Sequence, residues 1–194
     1  MNTEAELIRD LEAIGINVLS VWDLVNGPNN YDFALPILIQ YLEAADDIRF
    51  KEGIIRAMGV KGFDAAVPVL LNEFKTSNDD GYKWAIGNTI EVIAPKEALV
   101  ELNEIVADKK HGDSRQMIAL ALGKSKDQSS VDILINVIND PGISGHVIEA
   151  LGKIGDVKAI EPIRPFLNHK MRWIRRTAEV ALKRIRKKNK LVEV

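Results

Sequence analysis

One apolar pattern recurs five times along the chain, and it constrains the fold more than any other feature of the sequence. In each copy a small residue is followed by apolar residues one, four and eight positions later, and successive copies begin 32, 32, 32 and 29 residues apart. The copies are Ala34-Leu35-Leu38-Leu42, Ala66-Val67-Leu70-Phe74, Ala98-Leu99-Leu102-Val106, Ser130-Val131-Leu134-Ile138 and Ala159-Ile160-Ile163-Leu167. Side chains at these spacings share one face of a helix of about 3.6 residues per turn, so each copy predicts an α-helix.

A second apolar helix is predicted before each copy. The residue seven positions upstream of each copy is a glycine in four of the five copies; in copy order these residues are Gly27, Gly59, Glu91, Gly123 and Gly152. Glycine adopts left-handed backbone readily, so we predict that these glycines close the first helix of each pair as C-caps, with Pro95 ending the helix that contains Glu91. Apolar residues five positions before these points are expected to face the second helices; they are Trp22, Ile54, Ile86, Ile118 and Val147.

Helix start signals agree with a series of helical hairpins. Thr3 and Glu6 have the spacing of a capping box for a helix of about residues 4–14. Asp127 and Asp156 are predicted to cap second helices. The corresponding residues for first helices are Asp47, Asp79 or Asp80, and Asp113 or Ser114. Prolines expected in the opening turns of second helices are Pro36, Pro68, Pro95 and Pro162, and Pro165 is placed to kink its helix.

A hairpin of about 30 residues cannot bury its own apolar face, so neighbouring hairpins must stack. We therefore predict an all-α solenoid of about five hairpins forming one domain over residues 1–194, with capping helices at both ends. The approximate units are 16–45, 46–78, 79–111, 112–141 and 142–170, followed by a terminal helix at 171–188. The apolar residues of that terminal helix repeat those of the preceding first helix at a spacing of 31; they are Ala178, Ala181, Leu182 and Ile185.

Composition narrows the range of functions. The chain has no cysteine, which excludes disulfides, zinc–thiolate sites and thiol nucleophiles and fits a reducing cytoplasm. The acidic N-terminus lacks the pattern of a secretory signal, and the longest apolar runs are too short to span a membrane. The net charge of −2 conceals an asymmetry, because ten of the 26 lysines and arginines lie within residues 170–190. We expect a soluble cytoplasmic protein, monomeric or weakly oligomeric, whose C-terminal end differs in charge from the rest.

Residues 150–156 (ALGKIGD) and 159–163 (AIEPI) closely resemble the HEAT-like repeats found in phycobilisome lyases, and residues 121–124 (ALGK) repeat the core of this motif. The resemblance extends over about residues 18–185. It implies an armadillo-like, right-handed α–α superhelix whose second helices line the concave side. Proteins that carry similar arrays include scaffolds, bilin lyases, a dinuclear-iron hydroxylase and DNA alkyl-base glycosylases, so the resemblance predicts the fold more strongly than the function.

The chain lacks the residues that the iron hydroxylase of this group needs. The hydroxylase uses repeated His-Glu pairs, whereas His111, His146 and His169 have no carboxylate as neighbour, and we predict that each is a surface or helix-end side chain. No serine lies in a nucleophile-elbow pattern. The acidic pairs at 46–47 and 79–80 are predicted to be helix caps rather than cation ligands. We therefore expect no catalytic residue, no cofactor and no metal site.

Two surfaces could bind a partner. Outward positions of the second helices give a polar to acidic concave face, which would repel a phosphate backbone. Its candidate partner-binding residues are Gln40, Asn72, Glu101, Glu104, Asp132, Asn136 and Glu161. The terminal helix provides a candidate basic patch, which alternatively serves only to complement the helix dipole and keep the last repeat soluble. It consists of Arg172, Arg175, Arg176, Lys183, Arg184, Arg186, Lys187 and Lys188.

The aromatic residues add one open question. Trp22 is predicted to occupy a core column, whereas Trp84 and Trp173 either pack between repeats or anchor a partner. The favoured hypothesis is a non-enzymatic scaffold or adaptor that binds another protein through the concave face or the basic C-terminal end. The alternatives are a nucleic-acid-binding protein that uses the basic terminal helix and an enzyme of the bilin-lyase or DNA-glycosylase kind.

Overall fold

The computed structural model describes residues 3–27 and 30–191, and within these residues the secondary structure is entirely helical. The described residues form twelve α-helices: α1 (Glu4–Ala13), α2 (Trp22–Asn26), α3 (Leu35–Ala44), α4 (Ile48–Ala57), α5 (Val67–Thr76), α6 (Asp80–Ile93), α7 (Leu99–Ala107), α8 (Arg115–Ser125), α9 (Val131–Val137), α10 (Ser144–Ile154), α11 (Ile160–Ile163) and α12 (Arg172–Lys188). Short 3-10 turns precede α3, α5, α8, α9, α11 and α12. The predicted all-α class is confirmed.

The hairpins follow the predicted register. The even-numbered helices α2 to α10 are the first helices of five pairs, and the odd-numbered helices α3 to α11 are the second helices. The apolar column of the second helices is completely buried, as predicted; it consists of Leu38, Leu70, Leu102, Leu134 and Ile163. α12 stands where a sixth first helix is expected.

Contacts within the chain group into two compact units, Met1–Ile93 and Ala94–Val194. In the N-terminal unit α1 packs on α3, α2 packs on α4, and α6 packs on both α4 and α5. In the C-terminal unit the first helices form a row in which α10 packs between α8 and α12, while α9 contacts α7 and α10. Each unit therefore has helix-on-helix packing along consecutive repeats.

The column of the first helices is confirmed at four of its five positions. Ile54, Ile86, Ile118 and Val147 are completely buried. The prediction for Trp22 is wrong, because 41% of this residue is exposed and Val21 is buried in its place. α2 is only five residues long and begins at Trp22, so the spacing inferred from longer helices does not hold there.

The predicted glycine C-caps are confirmed only in part: Gly27 is the C-cap of α2, with extended backbone, whereas none of the four predicted glycines has the left-handed conformation. Among the described residues, the glycines with left-handed backbone are Gly15, Gly62, Gly112 and Gly155, none of which was predicted. Gly123 and Gly152 lie inside α8 and α10, where they allow the next helix to approach: a Cβ on Gly123 would stand 2.5 Å from Ala150 Cα, and one on Gly152 would stand 2.7 Å from Ala181 Cα. Glycine is therefore needed at these two positions because a larger side chain would clash with the neighbouring helix.

Most predicted caps are confirmed. Thr3 and Glu6 form the capping box of α1, and Asp47 accepts a hydrogen bond from the Phe50 amide at the start of α4. Asp127 and Asp156 accept amide hydrogen bonds at the turns before α9 and α11.

Three start and stop signals act differently from the prediction. Ser114 occupies the N-cap position of α8 but makes no side-chain capping bond there, and Asp113 lies one residue before it. The helix that contains Glu91, α6, ends at Ile93 just before Pro95, as predicted, but Pro95 lies in the loop before α7 rather than in the first turn of α7. At Pro165 the backbone has already left the α-helical form, because α11 ends at Ile163 and a 3-10 turn follows.

Candidate partner-binding surface

α12 is an amphipathic helix whose apolar stripe faces the protein. The stripe has the spacing of one helix face and is buried; it consists of Ile174, Ala178, Ala181, Leu182 and Ile185. α12 packs on α10, on α11 and on the turn Arg164–Asn168. Burial of this stripe fixes the helix in place, so the side chains on its other face are free to serve another purpose.

Two of the eight predicted patch residues hold the fold together. The Arg175 guanidinium donates hydrogen bonds to the carbonyl oxygens of His169, at 2.7 Å, and Lys170, at 3.1 Å. The Lys188 ammonium donates to the carbonyl oxygen of Ile154 at 2.6 Å, at the C-terminal end of α10. Such contacts satisfy backbone acceptors that a helix end leaves open. Arg175 and Lys188 therefore belong to the scaffold more than to a binding surface.

The other six cations have no such role within residues 3–27 and 30–191. Their side chains make no hydrogen bond or ion pair there; they are Arg172, Arg176, Lys183, Arg184, Arg186 and Lys187. The helix thus presents six cations that form no ion pair with a carboxylate of the described chain, and Glu179 is the single acidic residue of the helix. Such a face attracts negatively charged macromolecules.

A groove with a volume of about 280 Å³ runs between α10 and α12, and we call it the α10–α12 groove. Trp173, Val180 and Ala181 provide its apolar lining, while Arg176 and Arg184 bring two guanidinium groups to it. Trp173 is 46% exposed and Val180 is 42% exposed. An exposed indole and an exposed isopropyl group on a terminal helix are typical of a surface that contacts a partner.

The indole of Trp173 is held in a defined place. A Cβ on Gly145 would stand 1.9 Å from its ring, so the ring lies directly over the glycine backbone. The His146 imidazole meets the same ring edge to face, with 5.9 Å between the ring centroids. The indole is therefore positioned before any partner arrives. The sequence left the role of Trp173 open because Gly145 and Trp173 are far apart in the chain.

His146 has an unusual environment beside the groove. Burial lowers the pKa of its imidazole, and this effect outweighs the opposite influence of Glu149 and Asp113. Its Nδ1 atom is buried and has no hydrogen-bond partner among the described residues. The imidazole is consequently favoured in its neutral form.

The acidic residue that lines the groove, Glu149, is already paired. Glu149 forms an ion pair with Lys153, one turn later in α10, at 3.0 Å. The two guanidinium groups of Arg176 and Arg184 thus dominate the charge of the groove.

The predicted polar face is exposed throughout. Gln40 and Asn72 lie in the N-terminal unit, on α3 and α5, and the other five residues lie in the C-terminal unit on α7, α9 and α11. Within the C-terminal unit Asp132 pairs with Lys158 at 3.1 Å and Glu161 pairs with Arg164 at 2.7 Å. The polar face is therefore partly neutralised, in contrast to α12.

The histidines and acidic pairs behave unequally. The prediction of a surface position is wrong for His111, which is 3% exposed, because the turn Lys109–Ser114 folds it inward. The His169 ring stacks on Phe166 with 6.0 Å between centroids. Asp47 and Asp79 act as caps as predicted, Asp79 by accepting a hydrogen bond from the Tyr82 amide. In the described part of the chain no three His, Cys, Asp or Glu side chains converge as a metal site would require.

Sequence reasoning missed two internal polar clusters. Arg115 is buried and forms an ion pair with Asp140 at 2.6 Å, while its guanidinium also donates to the carbonyl oxygens of Val106 and Gly112. In the N-terminal unit Glu73 accepts hydrogen bonds from Lys51 at 3.0 Å and from the Tyr82 hydroxyl at 2.7 Å. Both clusters join neighbouring repeats and have the character of structural pairs.

The fold and the comparisons define the class of protein. An engineered protein of known crystal structure matches the chain with a TM-score of 0.61 and 18% identity, over 96% of this chain and 98% of the other, which supports an all-α helical-repeat solenoid. Residues 99–183 match the family of HEAT repeats. The chain is a HEAT-like repeat protein. No curated protein gives a significant match. None of the described helices is both long enough and apolar enough to cross a membrane.

Proposed function

We propose that this chain is a non-enzymatic binding module that holds an acidic partner protein on the outward face of α12. The observation that carries the proposal is the combination of unpaired cations with exposed apolar groups on one helix. Arg176 and Arg184 have no partner within the described residues. Val180 lies between them on α12, and Trp173 lies one turn before Arg176. The buried stripe of α12 attaches the helix, so the two guanidinium groups and the exposed parts of Trp173 and Val180 are available to a partner.

Several features favour a protein over a nucleic acid as the partner. A phosphate backbone would meet the cations but leave the Trp173 and Val180 side chains uncovered, whereas protein interfaces are enriched in tryptophan and arginine. Glu104 is exposed on α7 in the same unit and would repel a phosphate backbone that lay along this helix. A cysteine-free chain is compatible with action in the cytoplasm.

The test is affinity purification from the native host with matched variants. The first variant reverses charge on α12 by replacing Arg172, Arg176 and Arg184 with Glu. The control replaces Gln40, Asn72 and Glu104 with Lys, at exposed positions of other helices. The proposal expects partner proteins to disappear with the first variant and to persist with the control. If both variants retain the same proteins, α12 is not the binding surface.

A nucleic-acid-binding function is the second candidate, favoured by the six α12 cations that have no partner among residues 3–27 and 30–191. It predicts binding of duplex DNA with an affinity that falls steeply as salt rises, because cations displace counterions from phosphates. The candidates are distinguished by titrating the protein with duplex DNA at two salt concentrations. The protein-binding proposal expects DNA to bind only weakly, and it expects the loss of any two α12 cations to weaken this binding to the same extent.

A further inference from the structure

We propose that the α10–α12 groove receives an acidic amphipathic helix of the partner protein, with an apolar side chain over Val180 and carboxylates at Arg176 and Arg184. This inference rests on the proposed function and specifies the chemistry of the ligand. Grooves between two helices commonly accept a third helix that inserts its apolar face.

The apolar part of the groove is preformed. Gly145 leaves the space that the Trp173 indole occupies, and the His146 imidazole packs edge to face with the same ring. A ring that is already positioned loses little conformational freedom when a ligand arrives. Trp173 and Val180 can therefore act as an anchor for an aliphatic side chain, which would be withdrawn from water on both sides.

The charges set the spacing of the ligand. Arg176 and Arg184 are eight residues apart on one helix, which places their backbone positions about 12 Å apart along the axis, with Val180 midway. A guanidinium group matches a carboxylate with two parallel hydrogen bonds. A ligand helix that lies along α12 would meet this arrangement with two acidic residues eight positions apart and a leucine-like residue between them.

Neighbouring charges strengthen this specificity. Lys153 already pairs with Glu149 at 3.0 Å, so the carboxylate at the groove wall does not neutralise Arg176 or Arg184. Lys183 and Lys187 are exposed on the same helix but do not line the groove. They therefore provide a control pair that removes the same charge without changing the groove.

The experiment uses the full chain with Trp22 and Trp84 replaced by Phe, so that Trp173 is its only indole. The probe is an alanine-based helical peptide of about 18 residues that carries two glutamates eight positions apart and a leucine midway. Titration of Trp173 fluorescence gives the affinity. We expect a saturable blue shift of the emission, because the leucine removes the exposed indole from water.

Matched variants locate the binding. Arg176→Gln with Arg184→Gln is expected to weaken binding of the peptide at least about tenfold, since hydrogen bonds between charged groups are lost. Lys183→Gln with Lys187→Gln is expected to change it less than about threefold, through general attraction alone. A peptide with glutamines in place of the two glutamates should bind like the first variant. Thermal unfolding by circular dichroism confirms that each variant is folded.

Three results would overturn the inference: equal losses from both pairs of substitutions, equal binding of the glutamine peptide, or a duplex DNA that shifts Trp173 emission at lower concentration than the peptide does. Failure of the proposed function looks different. In that case the peptide would bind as expected, but charge reversal on α12 would leave the proteins captured from the host unchanged.

Discussion

Gly152 of α10 lies directly against Ala181 of α12, so closely that a Cβ on the glycine would stand 2.7 Å from the alanine Cα. The same relationship joins Gly123 of α8 to Ala150 of α10, at 2.5 Å. A glycine in one first helix therefore admits an alanine of the next. This contact repeats within the C-terminal unit and determines how α10 and α12 form the groove between them.

The first prediction concerns this close approach. Gly152→Ala is expected to lower the free energy of unfolding by about 1–3 kcal/mol, because the added methyl group forces two packed helices apart. Denaturation in urea at pH 7 measures the change. Gly81→Ala is the control: a Cβ there would meet only the Asp79 carboxylate at 3.3 Å, so no loss is expected. An unchanged midpoint for Gly152→Ala would contradict the observed helix distance.

The second prediction concerns two equivalent helix ends. Lys126 follows α8 with φ of 58°, and Gly155 follows α10 with φ of 75°, 29 residues later. A side chain in left-handed backbone costs about 1 kcal/mol relative to glycine. Lys126→Gly should therefore stabilise the protein by up to about 1 kcal/mol. Lys126→Ala, which keeps the Cβ atom, should leave the stability nearly unchanged, and a stabilisation equal to that of glycine would disprove the backbone explanation.

The third prediction concerns the buried ion pair. Replacing Asp140 with Asn leaves the Arg115 guanidinium buried without its counter-ion, which should cost about 3 kcal/mol at pH 7. The hydrogen bond from Arg115 lowers the pKa of the Asp140 carboxyl group in the folded protein. The contribution of the ionised Asp140 carboxylate to the free energy of unfolding is therefore fully present above the ordinary carboxyl pKa of about 4. It is lost as the pH falls through the lowered pKa of the folded protein. Unfolding measured at pH 7 and near pH 3 should show the difference between parent and variant shrinking in acid.

The fourth prediction concerns His146. Because burial lowers the pKa of its imidazole, the unfolded chain takes up a proton before the folded protein does. The stability is thus highest when both states are neutral, above about pH 6.5, and declines as the pH falls from there toward the folded pKa. His146→Gln should flatten the dependence of the unfolding free energy on pH between about 5 and 7. A slope identical to that of the parent would mean that His146 is not protonated differently in the two states.

The sequence predicted what depends on periodicity and missed what depends on neighbours. Leu102 and Ile163 could be assigned to the core because each belongs to a repeated apolar face. Trp22 was misplaced because the length of α2 is not visible in the spacing. The glycines at 123 and 152 look alike whether they end a helix or admit a neighbouring one, and only the position of Ala150 and Ala181 decides between these roles.

The candidate surface could be predicted only in part. The basic residues of α12 are evident in the sequence, but which of them are occupied is not: Arg175 and Lys188 bind backbone carbonyl oxygens, whereas Arg176 and Arg184 do not. The groove itself depends on α10 and α12 lying side by side and on Trp173 lying over Gly145. Local sequence patterns carry no signal for such a contact.

Site-specific photo-crosslinking in the native host tests the central claim most directly. A photoreactive amino acid at Val180, which lines the α10–α12 groove, is compared with the same group at Val157, which is 48% exposed in the turn before α11. Binding of a partner protein in the groove predicts a discrete protein adduct at Val180 that is absent at Val157 and is lost when Arg176 and Arg184 are changed to Gln. Adducts of equal yield at both positions, or an adduct at Val180 that contains nucleic acid instead of protein, would contradict the claim.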